Sequence, residues 1–113
     1  LANSFVNKKV DLTSTSVTTL YTVPDAATAI VKSILVSEDS GNADTITVTI
    51  TDTSDAVFSL FKTKAISANA TTELLTAPLV LQQNEVLKVT AATANRLHVV
   101  LSALESKPRE VIT

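Results

Sequence analysis

Thr45-Ile46-Thr47-Val48-Thr49-Ile50-Thr51-Asp52 alternates β-branched apolar residues with threonines at a period of two. Successive side chains of a strand point to opposite faces. Ile46, Val48 and Ile50 therefore belong to a buried face, and Thr45, Thr47, Thr49 and Thr51 to a solvated one. The pattern returns at residues 96–104, with Leu97, Val99, Leu101 and Ala103 inward and Arg96, His98, Val100 and Ser102 outward. Around these two segments, residues 8–13, 17–22, 28–37, 57–64, 72–75 and 85–91 carry the Val, Ile and Thr content that suits a half-buried pleated surface. About eight short strands at near-regular spacing predict an all-β antiparallel β-sandwich, of jelly-roll or immunoglobulin-like type, with two sheets closing over one core.

Pro24-Asp25, Asp39-Ser40-Gly41-Asn42, residues 52–55 and Gln82-Gln83-Asn84 supply the turns. The chain has a single glycine, whereas tight two-residue hairpins need positive φ. Longer connections around type I turns, served by Asp, Asn and Ser, are therefore expected. No stretch keeps a period near 3.6, and the alanine-rich pieces at 25–29 and 91–94 are too short for helices.

With 113 residues and 45% hydrophobic side chains, the chain suffices for one domain with a core. Nine Lys and Arg against eleven Asp and Glu give a net charge of −2. No basic field is available for phosphates or anionic lipid, so neither nucleic acid nor membrane is expected as a partner. No apolar run approaches the length of a membrane helix, and no basic stretch leading into an apolar one opens the sequence as a secretion signal does. The absence of Cys removes disulfides and thiolate chemistry.

His98 is the only histidine, and alternation puts it on the wet face of its strand. A single glycine excludes a nucleophile elbow, a phosphate-cradling loop and a dinucleotide fingerprint. Glu38, Asp39, Asp44, Asp52 and Asp55 fall in or near turns but lack the Asp-x-Asp-x-Asp-Gly spacing of a calcium loop, and turn hydrogen bonds account for acidic residues there. Phe5, Tyr21, Phe58 and Phe61 are the whole aromatic supply. Tyr21 and one of Phe58 or Phe61 are expected in the core, which leaves little for stacking on sugars. Asn69-Ala70-Thr71 matches a glycosylation acceptor but reads more simply as a loop. The expectation is a protein without enzymatic activity, catalytic residues, metal or cofactor.

What remains is surface. Thr45, Thr47, Thr49 and Thr51 form an uncharged, weakly polar stripe able to pack on another protein at low desolvation cost. The ends read as arms outside a domain at 8–105: residues 1–7, with Leu1, Phe5 and Val6, and residues 106–113, with Val111 and Ile112. These nine residues are the candidate protein interface.

Leu20-Tyr21-Thr22-Val23-Pro24 and the following Thr28-Ala29-Ile30-Val31-Lys32-Ser33-Ile34-Leu35-Val36-Ser37 resemble small virion proteins of tailed bacteriophages, particularly those of marine phages and cyanophages. Ile66-Ser67-Ala68-Asn69-Ala70-Thr71-Thr72-Glu73-Leu74-Leu75, Pro78-Leu79-Val80-Leu81 and Asn84-Glu85-Val86-Leu87-Lys88-Val89 are similar to the later half of the same proteins, and Leu104-Glu105 to their closing strand. The likeness covers about residues 10–105 and leaves both arms outside it. It implies a structural virion protein, assembled in the host cytoplasm. The leading expectation is a capsid decoration or cement protein that bridges major capsid subunits as a homo-oligomer, with a trimer at local threefold positions favoured. A neck, tail, baseplate or fibre-base component is the alternative within the class, and a receptor- or carbohydrate-binding module the alternative outside it.

Overall fold

The computed structural model describes residues 2–108, and among them it forms nine strands and no helix. In chain order these are β1 (Ala2–Asp11), β2 (Thr18–Thr22), β3 (Thr28–Glu38), β4 (Asp44–Thr51), β5 (Val57–Ile66), β6 (Thr71–Glu73), β7 (Leu79–Leu81), β8 (Val86–Ala91) and β9 (Leu97–Lys107). All pairings are antiparallel. One sheet has the order β1-β9-β3, with β6 and β7 end to end along the far edge of β3; the other has the order β2-β8-β4-β5.

The pairing is nested. β1 meets β9, β2 meets β8, β3 meets β6 and β7, and β4 meets β5. A long hairpin folded at the β4–β5 turn and rolled up so that successive pairs alternate between two layers gives this order. It is the jelly-roll member of the two sandwich types expected from the sequence.

The inward positions of both sheets make one core: Leu97, Val99, Leu101 and Ala103 of β9, Ala29, Val31, Ile34 and Val36 of β3, Ile46 and Val48 of β4, and Leu87 and Val89 of β8 are all buried. β3 keeps its apolar residues inward only because it changes phase. Ala29 and Val31 are odd-numbered, while Ile34, Val36 and Glu38 are even-numbered. The register against β9 shifts between Val31 and Ser33, with Lys32 as the extra, exposed residue. A one-residue bulge rotates the rest of the strand by one position, so both halves point at the core.

Three sequence expectations are corrected. Residues 2–7 are not a free arm; Ala2–Asp11 is continuous strand, with Ala2 opposite Lys107 and Val10 opposite Val99. β9 likewise runs through Ser106 and Lys107, past the expected arm boundary, and stops before Pro108, which has no N–H for a ladder. Both extensions exist because each strand supplies the other's backbone partners, a pairing between opposite ends of the chain. Leu79–Leu81, read as an apolar edge, is a ninth strand on β3. Leu1, Val111 and Ile112 lie outside the described residues.

Turns do without glycine in a different way from that expected. Pro24–Ala27, Ser67–Ala70 and Gln82–Glu85 close with N–H to O=C bonds of 3.1–3.2 Å, and the third residues, Ala26, Asn69 and Asn84, have φ of 62°, 57° and 65°. Positive φ at the third position is the requirement of a type II turn, which Asn tolerates better than most residues.

Candidate interaction surface

Glu38, Asp44 and Asp52 are occupied by the fold. Glu38 is buried at the end of β3, and its carboxylate accepts from Ser40 N (2.7 Å), Gly41 N (3.0 Å), Asn69 N (3.1 Å) and the Ser40 hydroxyl. Burial pushes this carboxyl up, but the four hydrogen bonds outweigh it and hold the group at about 2. Asp44 is buried and accepts from Thr93 N at 3.1 Å. Asp52 accepts from Ser54 N and Ala56 N at 2.9 and 3.0 Å within its own turn. Asn69, with its positive φ and its N–H donated to Glu38, is a structural corner. Among the described residues no three His, Asp or Glu side chains converge as metal ligands do.

His98 faces outward, as alternation predicts, between Asp11 (Nε2 to Oδ1, 3.2 Å) and Asp39 (Nδ1 to Oδ2, 3.6 Å). Ser37 stands opposite it on β3. Both ring nitrogens are turned to carboxylates, so the imidazole presents no lone pair to that hydroxyl, as a general base must.

The threonine stripe is less open than alternation suggests. Thr45, Thr47 and Thr49 are half-buried and Thr51 is buried. The Thr47 hydroxyl accepts from Thr63 N at 3.0 Å, holding a bulged stretch of β5 in which Thr63 has φ 47°. Of the aromatics, Tyr21 is in the core and Phe61 packs against it, as expected. Phe58 and Phe5 are exposed. Val6 is half-buried against the core, so it is packing rather than free surface.

The outer face of the β1-β9-β3 sheet carries the feature that sequence reading misses. Register places Phe5, Leu104, Ile30 and Val80 in one row across four strands. Phe5 is 82% and Val80 53% exposed, with Leu104 and Ile30 half-buried between them. A second row runs Lys9, Val100, Leu35, Glu73, in which Leu35 is 39% and Val100 36% exposed. Between the rows lie Asn7, Ser102 and Ser33. Shallow depressions of about 260 Å³, at Phe5, Asn7, Lys32 and Ser102, and about 270 Å³, at Lys9, Asp11, His98 and Val100, flank the second row on its two sides.

The signal in the sequence was partial. Val100 reads as an outward apolar residue, but Leu35 and Ile30 are hidden inside a nearly continuous apolar run, which by itself gives no face. A row exists only once β1, β9, β3 and β7 are known to be neighbours. Monomeric surfaces carry scattered single hydrophobics without consequence, whereas aligned ones mark contact sites.

Comparison with known protein families, characterised proteins and solved structures finds no match to this chain.

Proposed function

We propose that this protein is a non-enzymatic structural component of a tailed-bacteriophage particle, working as a capsid decoration protein that bridges major capsid subunits as a homo-oligomer. The observation that supports the reading is the ridged apolar outer face of the five-stranded sheet, in a molecule whose Glu38, Asp44 and Asp52 carboxylates are engaged in holding loops and whose histidine is held between two aspartates. The jelly roll recurs in viral shell domains, an analogy of fold that agrees with the resemblance in residues 10–105. A protein that binds only the assembled shell stabilises it by mass action, and a small term per site becomes large when repeated over a shell.

Copy number per particle tests this. Densitometry of purified virions is expected to give a count in the hundreds, following shell symmetry; a dozen or so copies would assign the protein to a neck, tail or baseplate ring and reject decoration. Reproducible hits on a glycan array would favour the carbohydrate-binding alternative.

A further inference from the structure

We infer that the open edge of β1 is the contact between two copies of this chain, which pair antiparallel about a twofold axis at Val6 and join their β1-β9-β3 sheets into one continuous sheet. The inference goes beyond the proposed function and leaves the outer face of the sheet open for it.

The edges of the sandwich are not alike. β2 has five residues and a register shift between Thr19 and Tyr21, β5 shifts twice against β4, and β6 and β7 have three residues each. Short or bulged edges resist pairing with other chains. β1 has ten residues, no proline and an unbroken ladder to β9, and among the described residues no strand pairs with its other side. Leu12 N donates to Leu97 O at 3.0 Å, in step with Asp11 opposite His98. Main-chain groups alternate sides along a strand, so the even-numbered residues of β1 bond to β9, while Asn3, Phe5, Asn7 and Lys9 turn their N–H and C=O groups to the open edge. The side chains of these four lie on the outer face, and those of Ser4, Val6 and Lys8 on the inner one.

Lys8, an inward-pointing charge of the kind that guards an edge, decides the register. An axis at Lys8 sets it against its own copy, and an axis at Asn7 leaves the two Lys8 side chains diagonal neighbours about 7–8 Å apart. An axis at Phe5 separates them but pairs only Asn3, Phe5 and Asn7. The axis at Val6 engages all four open residues of each copy, in about eight main-chain bonds. It sets Lys8 opposite Ser4 of the second copy and about 14 Å from the other Lys8. On that inner face Val6 meets Val6 directly and Val10 meets Ala2. On the outer face Phe5 lies opposite Asn7 and diagonal to both Phe5 and Lys9 of the second copy, and Lys9 lies opposite Asn3. Asp11 stays outside the bonded stretch, its carboxylate beside His98 and its carbonyl accepting from Thr13 N.

The contact is long and thin. The stretch from Ala2 to Val10, at about 3.4 Å per residue and about 10 Å across the thickness of one sheet, covers roughly 300 Å² per copy. About 600 Å² in total is below the range of about 1,200–2,000 Å² found for stable pairs. The main chain therefore carries the affinity, as in other strand additions, and the dimer is a weak one with a dissociation constant of about 10–100 µM. Such a contact is isologous and closes on itself, giving a dimer and not an open array.

Sedimentation equilibrium of the full chain at concentrations up to about 500 µM tests the proposal, and a monomer–dimer equilibrium is expected. Asn7→Pro removes an N–H from the open edge and none from the ladder to β9, a place where an edge strand accepts proline. It is expected to weaken the dimer about tenfold or more with the circular dichroism spectrum retained. Because the chain has no cysteine, single-thiol variants read the register. Val6→Cys, at the axis, is expected to link to itself faster than Ser4→Cys or Lys8→Cys does. A mixture of Ser4→Cys and Lys8→Cys is expected to form the mixed disulfide faster than either variant links to itself. The thiol series stands whether or not Asn7→Pro folds. A monomer at every concentration, a trimer, a folded Asn7→Pro chain that dimerises undiminished, or thiols without these preferences would each overturn the inference. Virion copy number is unaffected by any of these results, so the two proposals fail separately.

Discussion

The hydroxyl of Tyr21 donates to Oε2 of Glu105 at 2.5 Å, from β2 in one sheet to β9 in the other, and both residues are buried. This is a polar tie between the two sheets at the apolar core, made between the only tyrosine and a buried carboxylate. Removing the hydroxyl alone, in Tyr21→Phe, leaves the carboxylate unpaired, and an unsatisfied buried group costs about 1–3 kcal/mol. Urea unfolding is expected to show a loss of that size. The double variant Tyr21→Phe with Glu105→Leu, which removes both polar groups, is expected to recover most of it.

The same pair sets an alkaline limit. Burial first, then the hydrogen bond to Glu105 and the repulsion of its charge, push the Tyr21 phenol well above its ordinary value of 10.0. Above pH 10 the unfolded chain releases this proton and the folded chain keeps it, so stability is complete below pH 10 and falls as pH rises beyond it. With one tyrosine in the chain, phenolate absorbance reports this group alone. It is expected to appear together with unfolding, measured by circular dichroism, and not before it.

Glu38 contributes to the acid limit, with the opposite sign. Its carboxyl is held at about 2, below the ordinary 4.5, so as pH falls through 4.5 the unfolded chain binds a proton while the folded chain stays ionised. The contribution is present above pH 4.5 and is lost progressively between 4.5 and about 2. Glu38→Gln is expected to lower the thermal midpoint at neutral pH and to flatten its slope across this window.

Lys32 matters by being there rather than by what it is. Lys32→Ala is expected to be nearly neutral, because the side chain is exposed. Deleting Lys32 removes the bulge and turns the phase of half the strand, so that Ile34 and Val36 leave the core. At about 1.5–3 kcal/mol for each large side chain, the loss exceeds about 3 kcal/mol. Such a deletion is expected to shift the urea midpoint far below that of the alanine variant, or to leave the chain unfolded.

The buried Thr51 hydroxyl has no hydrogen-bond partner among the described residues. Valine has nearly the same shape without the polar atom. Thr51→Val is therefore expected to raise stability by about 1 kcal/mol, read as a higher urea midpoint at unchanged slope.

Period-two alternation at residues 45–52 and 96–104 places both strands and the inward Ile46, Val48, Leu97, Val99, Leu101 and Ala103, because a half-buried strand needs one apolar face and local sequence carries that need directly, but it fails at the end of β4, where Ile50 is half-buried and Thr51 buried. The same reasoning worked less well at the ends. Ala2–Asn7 has no apolar period of its own, since its inward positions include Ser4 and its outward ones Phe5, and only the ladder with β9 makes it strand. Leu79–Leu81 was too short to announce itself. The candidate surface was legible only in fragments, as an outward Val100 and a threonine stripe that proved half-buried.

Sequence alone decided that the chain is a two-layer antiparallel β protein, because strand propensity, alternation and turn residues are properties of neighbours a few positions apart. It also decided where the jelly roll bends, at Pro24, Gly41 and the Asp52 turn. Tertiary structure alone decided which strands lie side by side, that the ends of the chain pair with each other, that β3 changes phase at Lys32, and that Phe5, Leu104, Ile30 and Val80 form one row. Those relationships join residues up to about a hundred positions apart, and a register between distant strands is set by the fit of the whole core rather than by any local preference.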